Sequence, residues 1–172
     1  MQNSTYNTKN NLMEDVDSSS MEGMFLTFWT DRQLFGIPIA DVVQIVGVQE
    51  ITPIPDSPVY SKGVINLRGA IIPVVDMRLR FRKAEIPYNE RTCIIVANIS
   101  ENAVGFIVDA VEEVVHINDD QIAPPPKLSS RESSSSYLTG IGKLDHTIVL
   151  LLDTGIILSE EELVVLNDMA DN

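Results

Sequence analysis

The chain has 172 residues, 44% of them apolar, and its 25 acidic and 12 basic side chains give a net charge of −13. This length suits one domain or two small fused barrels, and so acidic a surface repels phosphate backbones, which argues against general nucleic-acid binding. No apolar run approaches the roughly 18 to 20 residues that cross a bilayer, and the N-terminus lacks the apolar core of a signal peptide.

Residues 1–22 are polar and rich in Asn and Ser. They predict a disordered leader, because they hold too few apolar groups to offset the entropy of ordering. Residues 25–29 and 34–37 flank a short polar turn and predict a β-hairpin. Phe28 and Trp29 point to opposite faces of such a strand, so only one of them is expected in the deep core.

The next segment is ambiguous at first and then clearly irregular. Residues 40–43 fit a short helical turn, after which residues 45–48 fit a strand. Residues 49–61 contain three prolines and predict a loop.

The stretch KGVINLRGAIIPVVDMRLRF, from Lys62 to Phe81, organises the chain. It places two apolar runs on either side of the polar turn Asn66–Gly69, whose Asn and Gly tolerate left-handed backbone. Arg68 is the anomaly, because an unpaired guanidinium is costly to bury. It is therefore either a structural arginine, bound to a carboxylate or to loop carbonyls, or a displayed one. Pro73 removes a backbone donor and predicts an edge strand or a bulge.

The stretch ends in a basic segment, residues 77–83, which predicts a short helix or turn, and residues 84–91 predict a polar connection. Residues 92–99 are apolar without alternation, which indicates a strand buried on both faces. With residues 103–108 they predict a second hairpin. Cys93 lies in this strand and cannot form an internal disulfide, so we expect a small core residue and a cytoplasmic protein.

The C-terminal third predicts one long loop, one hairpin and one helix. Residues 112–117 suit a strand, and residues 118–136, with Pro124–Pro126 and a serine run, predict a long mobile loop. Residues 137–143 and 147–152 predict a closing hairpin. Ser159 and Glu162 form a capping box that opens a helix over about residues 159–169. About nine to eleven strands and one helix favour compact antiparallel barrels.

The sequence offers no enzymatic constellation. His116 and His146 are predicted at the surface, and neither has metal-ligand spacing. The segment Gly140–Lys143 has Tyr137 where a phosphate loop requires its first glycine and Leu144 after the lysine, so its glycines are better explained by a bend in a strand. The three aspartates that follow apolar runs, Asp76, Asp109 and Asp153, are predicted to be strand-end or turn carboxylates. We therefore expect a binding protein without cofactor or metal.

Several motifs together resemble the CheW family, the adaptor proteins of bacterial chemosensory arrays. They are FGIPIADVVQIVG, GVINLRG with IPVVDMR, YNERTCIIVANI, VGFIVDAVEEV and YLTGIGKLDHTIVLLLD. They occur in the family's order from about residue 24 to the C-terminal helix. The resemblance implies a domain over residues 23–172, built of two five-stranded SH3-like β-barrels around a common core, with a C-terminal helix.

The resemblance also implies partners and a site. The partners are the histidine kinase CheA, through its regulatory domain, and the cytoplasmic tip of a chemoreceptor, with no nucleic acid and no membrane insertion. The receptor would dock as a helical hairpin in a groove between the barrels. The matching residues here are Val42, Gln44, Asn66, Leu67, Arg68 and Gly69. Many family members carry an acidic residue where this chain has Gln44.

Two alternatives to this function stay open at this point. The same fold could serve a twitching-motility or other chemosensory pathway. A barrel that binds oligonucleotides or oligosaccharides is the alternative from another class, but it requires exposed aromatics among basic residues, and only 6% of this chain is aromatic.

Overall fold

The computed structural model describes residues 21–126 and 137–171, and within them the chain is mainly β. The strands are β1 Met24–Thr30, β2 Gln33–Pro38, β3 Val42–Gly47, β4 Ser61–Leu67, β5 Ala70–Asp76, β6 Cys93–Ile99, β7 Asn102–Val108, β8 Ala110–His116, β9 Ile122–Ala123, β10 Leu138–Lys143 and β11 Ile148–Leu152. The helices are α1 Met77–Arg80, α2 Thr154–Ile157 and α3 Glu160–Asp171.

The predicted hairpins are present, and the first two close through two-residue turns of left-handed residues. The turn residues are Asp31 and Arg32, with φ of 50° and 65°, and Ser100 and Glu101, with φ of 49° and 69°. Such turns twist in the sense that suits the flanking strands. In the first hairpin Phe28 is fully buried and Trp29 only half-buried, as the alternation predicts.

The strands form two sheets. Sheet A has the order β8-β1-β2-β11-β10-β9, and sheet B has the order β3-β6-β7-β5-β4. The chain places its first two strands in sheet A, builds all of sheet B, and then returns to sheet A. Parallel pairings of β2 with β11 and of β5 with β7 join strands that are distant in sequence. Sheet A thus contains both the first and the last strands of the described chain.

Both sheets are apolar on both faces, and this produces three clusters. A common core contains Leu26 and Phe28 from sheet A together with Val75 and Phe106 from sheet B. The second cluster covers the other face of sheet B and contains Ile65, Ile72, Val74, Ile94, Val96 and Ile107. The third cluster covers the other face of sheet A and contains Leu34, Ile117, Val149 and Leu151. This arrangement confirms two small barrel-like units around a common core.

The position of strand β6 in the fold explains why its sequence is apolar without alternation. Ile94 and Val96 belong to the second cluster, whereas Ile95 and Ala97 belong to the common core. The strand also lies between β3 and β7. Both faces are therefore buried, as predicted.

Of the two alternatives predicted for Pro73, the edge strand is wrong, because β5 is interior and the edge strand is β4. A register shift does lie beside it, between Ser61 and Gly63 of β4. Pro73 pairs with Val64, whose backbone N–H and carbonyl bond to Thr52 instead of to β5. At Pro73, therefore, the backbone polar groups of β5 are directed away from β4. On that other side the pairing with β7 begins only at Val74. The missing N–H therefore costs no ladder bond.

Two further segments differ from the predictions. A 3-10 turn spans Ile39–Asp41, so β3 begins three residues earlier than expected. The predicted long loop begins with a 3-10 turn at Asp119–Gln121 and with β9, which pairs with β10 as the sixth strand of sheet A. Residues 127–136 of that loop lie outside the described residues.

The predicted leader overlaps the described residues only at its end. Met21 accepts a hydrogen bond at its carbonyl from the Met24 N–H, at 3.1 Å, and packs against the common core. Residues 1–20 lie outside the described residues, so the leader and the domain division remain predictions.

The C-terminal helix and its capping box are confirmed. The Glu162 N–H donates to Ser159 Oγ at 3.1 Å, and the Ser159 N–H donates to Glu162 Oε1 at 2.8 Å. Leu163 and Leu166 enter the common core. Helix α3 is therefore docked on the shared core of the two units.

Candidate functional site

The end of the β4–β5 hairpin, which we name the hairpin tip, comprises the last two residues of β4, Asn66 and Leu67, and the turn residues Arg68 and Gly69. Leu67 pairs with Ala70, so only Arg68 and Gly69 form the turn, with φ of 55° and 89°. The Gly69 N–H donates to Asn66 Oδ1 at 2.8 Å. Two left-handed residues and a side-chain hydrogen bond hold the turn in one conformation. The tip therefore presents Arg68 from a defined backbone.

Arg68 itself is exposed. Its side chain makes no hydrogen bond or ion pair with any residue in ranges 21–126 and 137–171. Ile71 beside it is 43% exposed, and Leu67 packs partly on the second cluster. The tip therefore combines a displayed cation with neighbouring apolar surface on β4 and β5.

The other two predicted site residues lie on β3, at the opposite edge of sheet B. Val42 is only 1% exposed and belongs to the common core. A bulge follows it, and Gln44 is half-buried opposite Val96. Gln44 lies on the same face as Val46, which packs on the second cluster as Leu67 does. The structure thus separates the predicted site into a buried β3 residue, a half-buried Gln44 and an exposed tip.

In the basic segment after β5, Arg82 and Lys83 are exposed, but Arg78 is engaged within the fold. Arg78 donates from Nε and Nη2 to Asp109 at 2.9 and 2.8 Å, and from Nη1 to Asp31 at 3.4 Å. Its side chain is 14% exposed. The hydrogen bonds that Arg78 donates to Asp109 raise the pKa of Arg78, so the guanidinium stays charged. This ion pair ties α1 to the first hairpin turn and to the end of β7.

Arg80, two residues later, is also structural. Its guanidinium lies 5.7 Å from the ring centres of both Tyr60 and Tyr137, and its Nε donates to the Ile157 carbonyl at 2.9 Å. It also approaches Glu162 at 3.9 Å. Cation–π and charged hydrogen-bond contacts of this kind strengthen when they are removed from water. Arg80 therefore joins α1 to both C-terminal helices.

Glu162 is the carboxylate of this cluster, and the Tyr60 hydroxyl donates to its Oε2. Burial alone raises the pKa of Glu162, but the hydrogen bonds from Ser159 and Tyr60 and the charge of Arg80 together lower it. Burial, and then Glu162 itself, raise the pKa of Tyr60. The pair is therefore a neutral phenol and a carboxylate at neutral pH.

The three aspartates lie at or directly after strand ends, as predicted, and the structure adds their roles as caps or ion-pair partners. Asp76 accepts from the backbone N–H groups of Arg78 and Leu79 and from the Tyr88 hydroxyl. Asp109 binds Arg78, and Asp153 accepts from the Gly155 N–H at 2.8 Å. Within residues 21–126 and 137–171, no cluster of His, Cys, Asp or Glu could hold a metal ion.

The remaining candidates for chemistry have structural explanations. His116 and His146 are exposed, and Cys93 is half-buried against the common core. A Cβ at Gly140 would meet Ile122 Cγ2 at 2.7 Å, and one at Gly142 would meet Ile117 Cδ1 at 2.9 Å. These two glycines therefore allow neighbouring chain to approach β10 closely. No helix of the described chain is long and apolar enough to cross a membrane.

Sequence reasoning missed the roles of Arg78 and Arg80, because their partners are far away in the chain. Asp109, Asp31 and Glu162 lie about 30 to 80 residues from them. The available signal was the position of Asp109 directly after a buried strand, which does not indicate a partner.

Comparison with known proteins identifies relatives that are similar to this chain in sequence and in fold. The model of the CheW-like domain matches residues 24–162. The chain is 36% identical over 146 residues to the chemotaxis protein CheW of Klebsiella aerogenes, covering 85% of this chain and 87% of that one. It is 27% identical over 120 residues to protein FrzA of Myxococcus xanthus, covering 70% and 74% of the two chains. The crystal structure of scaffolding protein TtCheW from Thermoanaerobacter tengcongensis superposes with a TM-score of 0.73 at 32% identity, covering 81% of this chain and 94% of that one. The chain therefore belongs to the CheW family of chemotaxis scaffold proteins.

Proposed function

We propose that this chain is a non-catalytic cytoplasmic adaptor that couples chemoreceptors to the histidine kinase CheA in a chemosensory array. The observation that carries the proposal is Arg68, exposed on a rigid hairpin tip and unpaired within residues 21–126 and 137–171. A cation that stabilises nothing within those residues is available to a partner. Family membership supplies the kind of partner.

The receptor contact would centre on the hairpin tip. A guanidinium forms its strongest hydrogen bonds with carboxylates, which receptor helices can supply. Gln44 would add a neutral hydrogen-bonding group from the opposite edge. Val42 is buried, so it would support the shape of β3 without touching the receptor. CheA would bind elsewhere on the barrels through its regulatory domain.

Reconstitution tests this proposal directly. Purified chain, CheA and a receptor signalling fragment are combined, and CheA autophosphorylation is measured with each component omitted in turn. We expect the rate to depend on the chain only when receptor is present, and we expect no ATP hydrolysis by the chain alone. ATP hydrolysis by the chain, or a CheA rate indifferent to it, would show that the proposal is wrong.

The similarity to FrzA, a relative that does not carry the name CheW, favours a second candidate. In it, the same adaptor serves a different chemosensory pathway, such as one for twitching motility. Binding assays against CheA-type kinases and receptors encoded by several gene clusters of one genome separate the two. Selective binding to a kinase outside the flagellar cluster would favour the second candidate.

A further inference from the structure

A cleft of the molecule shares no lining residue with the proposed receptor contact. It has a volume of about 510 Å³ and lies where the first hairpin turn, the start of β8 and the connection between α1 and β6 meet. The lining residues are Trp29, Arg32, Ile86, Asn89, Arg91, Asp109, Ala110 and Glu112.

The two acidic groups of this cleft both accept hydrogen bonds, but in the part of the chain that the structure describes only Asp109 is paired with a cation. Asp109 is bound by two nitrogens of Arg78 and by the Asp31 N–H. Glu112 accepts the indole N–H of Trp29 at 2.7 Å. That hydrogen bond also fixes the Trp29 ring as a wall of the cleft.

The two arginines of the cleft have no such partners among the described residues. Arg32 and Arg91 are both exposed, and their side chains make no hydrogen bond or ion pair with residues 21–126 or 137–171. Arg32 is held at φ 65° in the first hairpin turn, so its backbone is fixed. These two cations form a local positive region in a chain of net charge −13, and such a region attracts an anionic group at short range.

We propose that this cleft binds a carboxylate-bearing segment of a partner protein, with the guanidinium groups of Arg32 and Arg91 holding its acidic side chains. Guanidinium groups bind carboxylates through paired hydrogen bonds, and Trp29 and Ile86 supply apolar contacts for the residues between them. A nucleic acid fits less well, because it carries a charge at every nucleotide and would face Asp109 and Glu112. A peptide can place its charges at the arginines alone.

Trp29 makes the proposal testable, since it is the single tryptophan of the chain. A short synthetic peptide of alternating Glu and Leu is titrated into the full-length protein while the Trp29 indole N–H signal is followed by NMR. A peptide of alternating Gln and Leu is the control ligand. We expect a saturable shift with the Glu peptide only, and a weaker response as salt is added.

The arginines are tested by a double variant, Arg32→Gln with Arg91→Gln. Binding of the Glu peptide should weaken about tenfold or more, with an unchanged melting temperature. The matched control is Lys143→Gln, an exposed cation on β10, which should bind as the unmodified chain does. Equal responses to the two peptides, no Trp29 shift, an unaffected double variant, or tighter binding of oligothymidylate would each overturn the proposal. None of these results depends on CheA or on a receptor.

Discussion

The two ends of the β4–β5 hairpin are built from similar residues for different purposes. At the base, Arg78 and Arg80 on α1 are engaged by carboxylates, aromatic rings and a carbonyl. At the tip, Arg68 is exposed and has no partner within the described ranges. An arginine that stabilises the fold should cost stability when it is removed, and one displayed for a partner should cost only binding.

The largest effect is expected from Gly63, near the base. Its φ is 126°, and a Cβ there would lie 2.0 Å from the Thr52 carbonyl oxygen. Gly63→Ala should lower the free energy of unfolding by about 4 kcal/mol, because it adds a backbone clash to conformational strain. Gly69→Ala at the tip is the matched control, since a Cβ there has open space, and should cost about 1 kcal/mol. Urea denaturation measures both, and equal losses would contradict the comparison.

Removal of Arg78 comes next. Arg78→Ala leaves Asp109 without its ion-pair partner, so we expect a loss of about 3 kcal/mol, near the lower limit for broken buried pairs because the site is partly exposed. Arg82→Ala, an exposed arginine two residues after α1, should change stability by less than about 0.5 kcal/mol. Urea denaturation of the two variants measures both changes in stability. If both variants behave alike, Arg78 is not a structural arginine.

Tyr60 tests the link between the hairpin base and α3. Tyr60→Phe removes one hydrogen bond to a carboxylate and should cost about 1 to 2 kcal/mol. Amide hydrogen exchange should then accelerate mainly in α3. Tyr88→Phe, which removes a hydrogen bond to Asp76, should instead loosen the connection between α1 and β6. Unchanged exchange in α3 after Tyr60→Phe would show that the Tyr60–Glu162 hydrogen bond does not hold the helix in place.

Glu162 gives a smaller, pH-dependent effect. Its pKa is lowered in the folded chain from the ordinary value of 4.5, so its contribution is present above pH 4.5 and is lost as the pH falls through the folded value. Glu162→Gln should remove this part of the acid sensitivity. Melting temperatures measured from neutral pH to below 4.5 compare the two proteins, and parallel curves would rule out a role for the Glu162 charge.

The sequence predicts well those elements whose signals are local. Hairpins with short polar turns, the doubly buried β6 and the capping box at Ser159 are all set by neighbouring residues, and all are present. Strand β9 was missed because it has two residues in a proline-rich segment and exists through its pairing with β10. The prediction of an edge strand from Pro73 was wrong because the pairing of β5 with β7 begins only after the proline.

The candidate site was less predictable than the fold for the same reason. Arg68, Arg78 and Arg80 look alike in the sequence, and what separates them is contact with residues remote in the chain. Val42 was predicted in the site and is a core residue, although it lies on the same strand as Gln44. Local patterns therefore located the hairpin tip but could not assign a role to each side chain.

Arg68→Ala is the measurement that tests the account most directly. The free energy of unfolding should change by less than about 0.5 kcal/mol, while the affinity for a receptor signalling fragment should weaken by about 1 to 3 kcal/mol through loss of a charge-assisted contact. Binding to CheA should change less, and Arg68→Lys should retain part of the receptor affinity because it retains the charge. A large fall in melting temperature, or receptor binding equal to that of the unmodified chain, would contradict the claim that Arg68 is displayed for a partner.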